Sequence, residues 1–504
     1  MGITARLVQY GFRDSVRARA NLEALRADPV FGARLGELLE TAARAADPDQ
    51  ALDLLERLVA AGAGDAGLRA ALSRPRGLER AVLLLGASAF LAEAVVREPG
   101  LFSWLLSPGT LERARHRREL AAEAARRLAS TPTAAERLER LRAFKRREIL
   151  HIAARDLLDV ATVPQTLQSL TVLAEVVIEQ AYAICLDALF DRYGARHARP
   201  ARSGFVVLGL GKLGAGELNF SSDVDLVYVY ERDREPAGLR SGLPLAPPEF
   251  YDRLARDLTT ALSQSVGEGQ LYRVDLRLRP EGRFGALVHS LASAERYYQL
   301  RAATWERVAL IRARPVAGDR AVGRRFLESA GRFVYGRPLD QRAVRELLRL
   351  KLRLERQVDL KGRLQGNVKL GTGGIREVEM VVQTLQVRLG ASLPAVRARG
   401  LSAALRALAR HGRLPREEAD ALLQAYLFLR DVENNLQMAR GFQTHLLPDE
   451  PRELRALAKR MGYRDQGPRS AEQLFRADFK RHTARVRRAY RRSFGPGGPF
   501  ASTG

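Results

Sequence analysis

Cysteine is all but missing from this chain of 504 residues: Cys185 stands alone, so no internal disulfide can form. Its neighbours Ala183, Ile184 and Leu186 continue a helical apolar pattern, which makes it a small buried residue and not a nucleophile. Histidine is scarce as well, seven in all, and none shows the paired spacing of a zinc site. No apolar run reaches the ~18 residues of a membrane span, and no leader-peptide pattern opens the chain, so a cytoplasmic setting without membrane contact is expected. Acidic residues are few relative to basic ones, 58 against 83, which leaves a net charge of +25. A surplus of that size ordinarily suggests nucleic acid. Here the cations are mostly arginines scattered through every helical stretch, without the interleaved aromatic residues of a base-stacking platform. Nucleic acid is therefore not an expected partner, whereas acidic proteins and nucleotides are.

What is present is ample material for cores, 46% hydrophobic residues, and a length that suggests about three domains. Residues 1–199 repeat Ala, Leu, Arg and Glu at helical spacing, broken at Pro75, Pro99, Pro108 and Pro132, and are expected to form an N-terminal helical domain. Residues 200–336 mix strand-like runs with helices such as 249–264, and 238–248 reads as a surface loop. Residues 337–494 return to helical periodicity as a C-terminal bundle, and the Gly- and Pro-rich stretch 495–504 is expected to be a disordered tail. The fold class is α+β, mostly helical.

The chemistry concentrates in the middle part. Ser221-Ser222-Asp223-Val224-Asp225-Leu226 sets two carboxylates one residue apart at the head of an apolar strand, just after the turn Gly209-Leu-Gly-Lys-Leu-Gly214. Alternating side chains put Asp223 and Asp225 on one face, and two acids sharing a partly buried space call for a hard counter-cation, Mg²⁺ or Mn²⁺. A third acid would complete a two-ion clamp. Alternation along Leu271–Pro280 offers Asp275, beside Arg277 and Arg279 as phosphate contacts, with Val274, Leu276 and Leu278 on the opposite face. The glycine pattern also matches a dinucleotide fingerprint, but 217–222 is too short for the crossover helix and the acids come too early, at the start of the next strand. No Walker loop is present. The turn at Gly211 is read instead as a close approach for phosphate, with Lys212, Ser221 and Ser222 as added donors.

The string from Gly209 to Leu226 resembles the active-site signature of glutamine synthetase adenylyltransferase/adenylyl-removing enzymes, members of the polymerase-β-like nucleotidyltransferase superfamily. Val274-Asp-Leu-Arg-Leu-Arg-Pro-Glu-Gly282, Thr304–Arg314, Lys369-Leu-Gly-Thr-Gly-Gly-Ile-Arg376 and Tyr426–Glu433 resemble that family in the same order, as do Leu141–Glu148 and Ala153–Leu157 upstream. The resemblance implies a central mixed sheet of polymerase-β type flanked by the two helical parts. It implies ATP or ADP and phosphate as substrates or products, glutamine synthetase as target and a PII-type signal protein as partner. Such proteins carry two tandem modules and this chain holds one. Asn219-Phe-Ser-Ser222 and the Lys369–Arg376 string are similar to the amino-terminal, AMP-removing version. Lys212 departs from the wider superfamily, where many members have serine.

Gly371-Thr-Gly-Gly374 precedes a helix, so free amides there, with Lys369 and Arg376, are expected to bind phosphate, the alternative being a tight domain junction. Glu433, Asn434 and Gln437 face either the nucleotide or solvent. The expected reaction removes AMP from an adenylylated tyrosine by phosphorolysis, attaches it from ATP, or both. Two rival readings remain open: the same fold with another acceptor, and a non-catalytic subunit sensing glutamine or PII.

Overall fold

The computed structural model describes residues 3–193, 204–232 and 245–500, apart from positions 268, 338 and 361. Most of the expected 238–248 loop lies outside the described residues, as does the 194–200 connection. The chain is α+β and mostly helical, with one small mixed sheet among the described residues. Its strands are β1 (Phe205–Gly209), β2 (Val224–Tyr230), β3 (Val274–Asp275), β4 (Val288–Ser290) and β5 (Arg314–Gly318). They lie in the order β3-β2-β1-β5, with β4 also on β2; β1 is antiparallel to β2 and β5, while β2 runs parallel to β3 and β4.

The apolar runs of β1 and β2 have no polar alternation because both faces of the sheet are covered. Phe205, Val207, Leu226 and Tyr228 enter a core with Tyr182, Phe190, Tyr251 and Leu254. Val206, Leu208, Val227 and Val229 enter another with Tyr298, Phe326 and Val334. Helices therefore sandwich the sheet, and only the ends of its strands are left for a site.

The first face is covered by the helices Val163–Arg192 and Pro247–Ser263. Val163–Arg192 is long and apolar enough to cross a membrane by length and composition, contrary to the expectation; 67% of its most apolar window is buried inside the protein, as befits a core helix. Cys185 lies on it, buried, and burial pushes its thiol up to about 12, which leaves no thiolate for chemistry.

The N-terminal part is less uniform than its composition. Residues from Leu7 to Leu111 make their own core, whereas Leu120, Phe144 and Leu173 pack with the sheet. The seam thus falls near 112–116 and not at 199, because the long helices after it present their apolar stripes to β1 and β2. Pro75 and Pro99 open helices, where the missing N–H costs nothing. The C-terminal bundle gathers Val378, Leu405, Leu429 and Phe475 into a third unit. The expected disordered tail does not hold over its described part: Phe500 is 2% exposed and stacks on Phe494 at 5.4 Å. One aromatic ring is enough to seat a Gly- and Pro-rich segment, since it buries a large apolar area without needing regular backbone.

Candidate active site

A cavity of about 520 Å³ opens where the head of β2 meets the C-terminal bundle. Gly211, Lys212, Ser222, Asp223, Asp225, Asp275, Arg277, Lys369 and Arg376 all line it; of the residues expected from sequence, Ser221 and Arg279 do not. The parallel register pairs Asp225 with Asp275 directly across β2 and β3. Burial first, and then the Asp275 charge, push the Asp225 carboxyl up to about 6.

The three carboxylates share the cavity but do not converge. Among the described residues, no three acidic or histidine side chains stand close enough to hold an ion. Arg273 Nε donates to Asp223 at 2.6 Å, and the Arg277 backbone N–H and guanidinium both donate to Asp275. Burial alone would raise Asp275, yet the Arg277 hydrogen bonds outweigh it and hold that carboxyl below its ordinary range. Arginine thus supplies the counter-charge to the two outer acids, and Asp225 has none of its own.

Gly211 is tied to this arrangement. Its φ is +51°, and a β-carbon there would lie 2.0 Å from Oδ2 of Asp225, so any larger residue would displace that carboxylate. The N–H of Leu210 donates to the Asp225 carbonyl at 2.9 Å, which pins the turn to the strand.

The expected strand through Leu271–Pro280 is two residues long. After Asp275 the chain turns, because the Arg277 N–H bonds the Asp275 side chain in place of a neighbouring strand, and Pro280 has no N–H to offer. Arg279 consequently folds back onto the carbonyls of Leu276, Gly285 and Ala286 and braces that turn, so its phosphate role is corrected to a structural one.

The glycine turn 371–374 is likewise not an amide cradle. The N–H groups of Gly373, Gly374, Ile375 and Arg376 are all bonded within the turn and the helix start. A β-carbon at Gly373 would meet the Thr483 carbonyl at 2.1 Å, so the junction reading is the right one. The side chains still face the cavity. Lys369 makes no ion pair among the described residues, and Arg376 has a buried Nε without a partner.

Lys212 reaches the cavity, but its ammonium is already engaged. It donates to Asn219 Oδ1 at 2.6 Å and Glu433 Oε1 at 2.7 Å. Neither expectation for Glu433, Asn434 and Gln437 holds: all three are fully buried, and they clamp the loop that leads to Asp223. Asn434 accepts from Asn219, and Gln437 accepts from the Ser221 N–H. Arg430, 0% exposed, donates to Tyr426 and Asn219 and lies 3.2 Å from Glu433, while Glu217 accepts from the Tyr426 hydroxyl and the Leu401 N–H. Burial works to raise the Glu433 carboxyl, but Lys212, His445 and Arg430 outweigh it and hold it well below the ordinary range. Sequence reasoning missed Arg273, Arg430 and Glu217. The polar stripe 426, 430, 433 and 437, recurring at helical spacing, was the available signal for Arg430.

Residues 78–329 match the family model described as glutamate-ammonia ligase adenylyltransferase, and residues 344–494 match that of GlnD PII-uridylyltransferase. Three similar proteins all carry the name bifunctional glutamine synthetase adenylyltransferase/adenylyl-removing enzyme. That of Thioalkalivibrio sulfidiphilus is 39% identical over 420 residues, 82% of this chain and 42% of its own length. That of Nitrosococcus oceani is 38% identical over 426 residues, covering 84% and 43%. That of Stenotrophomonas maltophilia strain R551-3 is 43% identical over 316 residues, covering 62% and 33%. The chain therefore spans well under half the length of the curated relatives it matches.

Proposed function

The chain belongs to the glutamate-ammonia ligase adenylyltransferase family, and on that premise we propose that it is a metal-dependent nucleotidyltransferase acting on glutamine synthetase in the cytoplasm. It removes AMP from an adenylylated tyrosine by phosphorolysis to ADP, attaches AMP from ATP, or both. One observation carries the reading: Asp225 and Asp275 stand opposite each other at the mouth of a cavity walled by cations. The removing direction is supported by Asn219-Phe-Ser-Ser222 and Lys369–Arg376. A PII-type signal protein is the proposed partner of the 344–494 bundle, whose matching family model is named for that protein.

The donor set fits Mg²⁺ or Mn²⁺. All three acids offer hard oxygens, and an Asp225 carboxyl raised to about 6 by burial and by Asp275 is a site with more negative charge than it can hold alone. Asp223, Asp225 and Asp275 would hold the divalent ions, proposed to be two, which when bound neutralise charge on the reacting phosphoryl group and the departing tyrosyl oxygen. The protein's own share is positioning and screening. Lys369, Arg376 and Arg277 bind phosphoryl oxygens, and Lys212 acts as a positioning residue that ties the Gly211 turn to the bundle through Glu433.

Arg277→Gln is expected to raise the KM for phosphate by about tenfold or more, since it removes a charge-assisted contact. Arg279→Gln should leave that KM within about twofold and lower thermal stability instead, because its partners are backbone carbonyls. Steady-state kinetics with varied phosphate separate the two.

The function itself is tested by mixing the purified chain and Mg²⁺ with adenylylated or unmodified glutamine synthetase, adding phosphate or ATP, and weighing the target by mass spectrometry. Loss of the adenylyl mass with release of ADP is the expected result. An unchanged mass in every arm overturns the proposal, and gain of mass on another supplied protein points to a different acceptor.

A further inference from the structure

A second cavity, about 900 Å³, lies behind the catalytic loop and shares only Ser222 with the first. The segment Phe220–Ser222 and Arg273 form one wall; the helices Ala89–Arg97 and Ala134–Leu157 form the other. Three cations face it with little to balance them. Arg142 is 6% exposed, reaches Glu139 at 3.6 Å and has a buried Nε with no hydrogen-bond partner. Lys145, one helical turn on, sits 4.5 Å over the Tyr272 ring and makes no ion pair among the described residues. Burial and the nearby Arg273 charge pull its ammonium down to about 8, as befits a cation facing another cation. Arg273 is the third. The acids at the rim are engaged elsewhere, Glu93 by Arg57 and Glu98 by Arg146. The Tyr272 hydroxyl is buried, lines the cavity and has no partner. Such a set of donors lacks an acceptor. The remaining walls, Leu101, Ile149 and Met438 among them, are apolar, and the volume far exceeds one oxyanion.

We propose that this cavity is an effector site for a small organic anion, whose phosphate or carboxylate group is taken by Arg142, Lys145, Arg273 and the Tyr272 hydroxyl, and whose binding draws Arg273 away from Asp223. The link is direct. Arg273 Nε donates to Asp223 at 2.6 Å and its terminal nitrogen to the Ser221 carbonyl at 2.5 Å, so the guanidinium that closes the cavity also occupies an oxygen of the proposed metal site. An anion competing for Arg273 frees that oxygen, and by linkage a metal bound there strengthens anion binding by the same factor. The coupling rests on the metal reading of Asp223; the anion site itself does not.

Calorimetric titration of the full chain in EDTA, with inorganic phosphate, phenyl phosphate and phenylacetate as probes, tests the site. Phenyl phosphate or phenylacetate should bind, the tighter of the two identifying the head group, and phenyl phosphate should bind about tenfold tighter than inorganic phosphate because the apolar wall is buried. Lys145→Met should abolish binding while Lys369→Ala, in the first cavity, keeps it. Absence of binding, or loss in Lys369→Ala with retention in Lys145→Met, overturns the site. Mn²⁺ binding followed by electron paramagnetic resonance tests the link. The probe should tighten Mn²⁺ by about fivefold in the wild type, and Arg273→Gln should bind Mn²⁺ tighter than wild type and no longer respond. An Mn²⁺ affinity indifferent to the probe overturns the link, whereas no Mn²⁺ binding at all removes the metal reading and leaves the anion titration standing.

Discussion

Asp225→Asn is expected to lose turnover by on the order of a thousandfold and, at the same time, to make the protein more stable at neutral pH. The two effects have one cause. Asp225 is buried beside Asp275 and has no arginine of its own, so its carboxyl sits at about 6 instead of its ordinary 3.8. A raised carboxyl pKa means that the folded state binds the proton more tightly than the unfolded chain does, so stability falls as pH climbs from about 4 to about 6 and stays reduced above that. The ionised group then costs up to about 3 kcal/mol. Asparagine keeps the shape and removes the charge. Urea unfolding at pH 8 should therefore show a gain of about 1–3 kcal/mol for the variant, and at pH 4 almost none. Mg²⁺ should stabilise the wild type and not the variant. Equal stability at pH 8, or wild-type turnover, would remove Asp225 from the proposed site.

Arg430→Met is expected to cost about 3–5 kcal/mol and to abolish turnover although Arg430 lines neither cavity. Its guanidinium is completely buried and satisfies Tyr426, Asn219 and the Glu217 carbonyl while standing against Glu433. Removing it strands a buried carboxylate and several acceptors in a low-dielectric interior, where they have no water to turn to. The same contacts hold the 217–222 loop, so Asp223 loses its anchor as well. The double variant Arg430→Met/Glu433→Met should recover about 1 kcal/mol or more of the lost stability, because the stranded charge goes with its partner, without recovering activity. Chemical denaturation and turnover on the three proteins check this. A double variant as unstable as the sum of its parts would show that the two residues do not act as a unit.

The site was legible in part, and the pattern of success follows the range of the interactions. Asp223 and Asp225 could be placed on one face because strand alternation is a local rule, and the flanking Val224 and Leu226 confirm it by pointing into the core. The partnership of Asp225 with Asp275 was anticipated, but the strand that carries the latter is only Val274–Asp275, too short to leave a periodic signature. Arg279 shows the cost: alternation was extended past the point where a side-chain hydrogen bond to Asp275 ends it. The polar stripe of the Arg416–Arg440 helix was ambiguous for a different reason. A row of charged and amide groups has the same periodicity whether it faces water or a buried loop, and the choice depends on whether distant residues such as Lys212 and Asn219 meet each of those groups.

By itself, then, the order of residues determined the class of fold, the helical and strand-bearing parts, the family and the acidic pair, all of which rest on neighbours within a few positions or on strings long enough to be compared. Only the tertiary structure decided which cations face the cavity and which are already bonded, that Arg273 and Arg277 hold the outer aspartates, and that a second cationic cavity backs onto the same loop. Those facts turn on charges brought together from far along the chain, and electrostatic pairing depends on distance in space and on exclusion of water, neither of which a linear pattern contains.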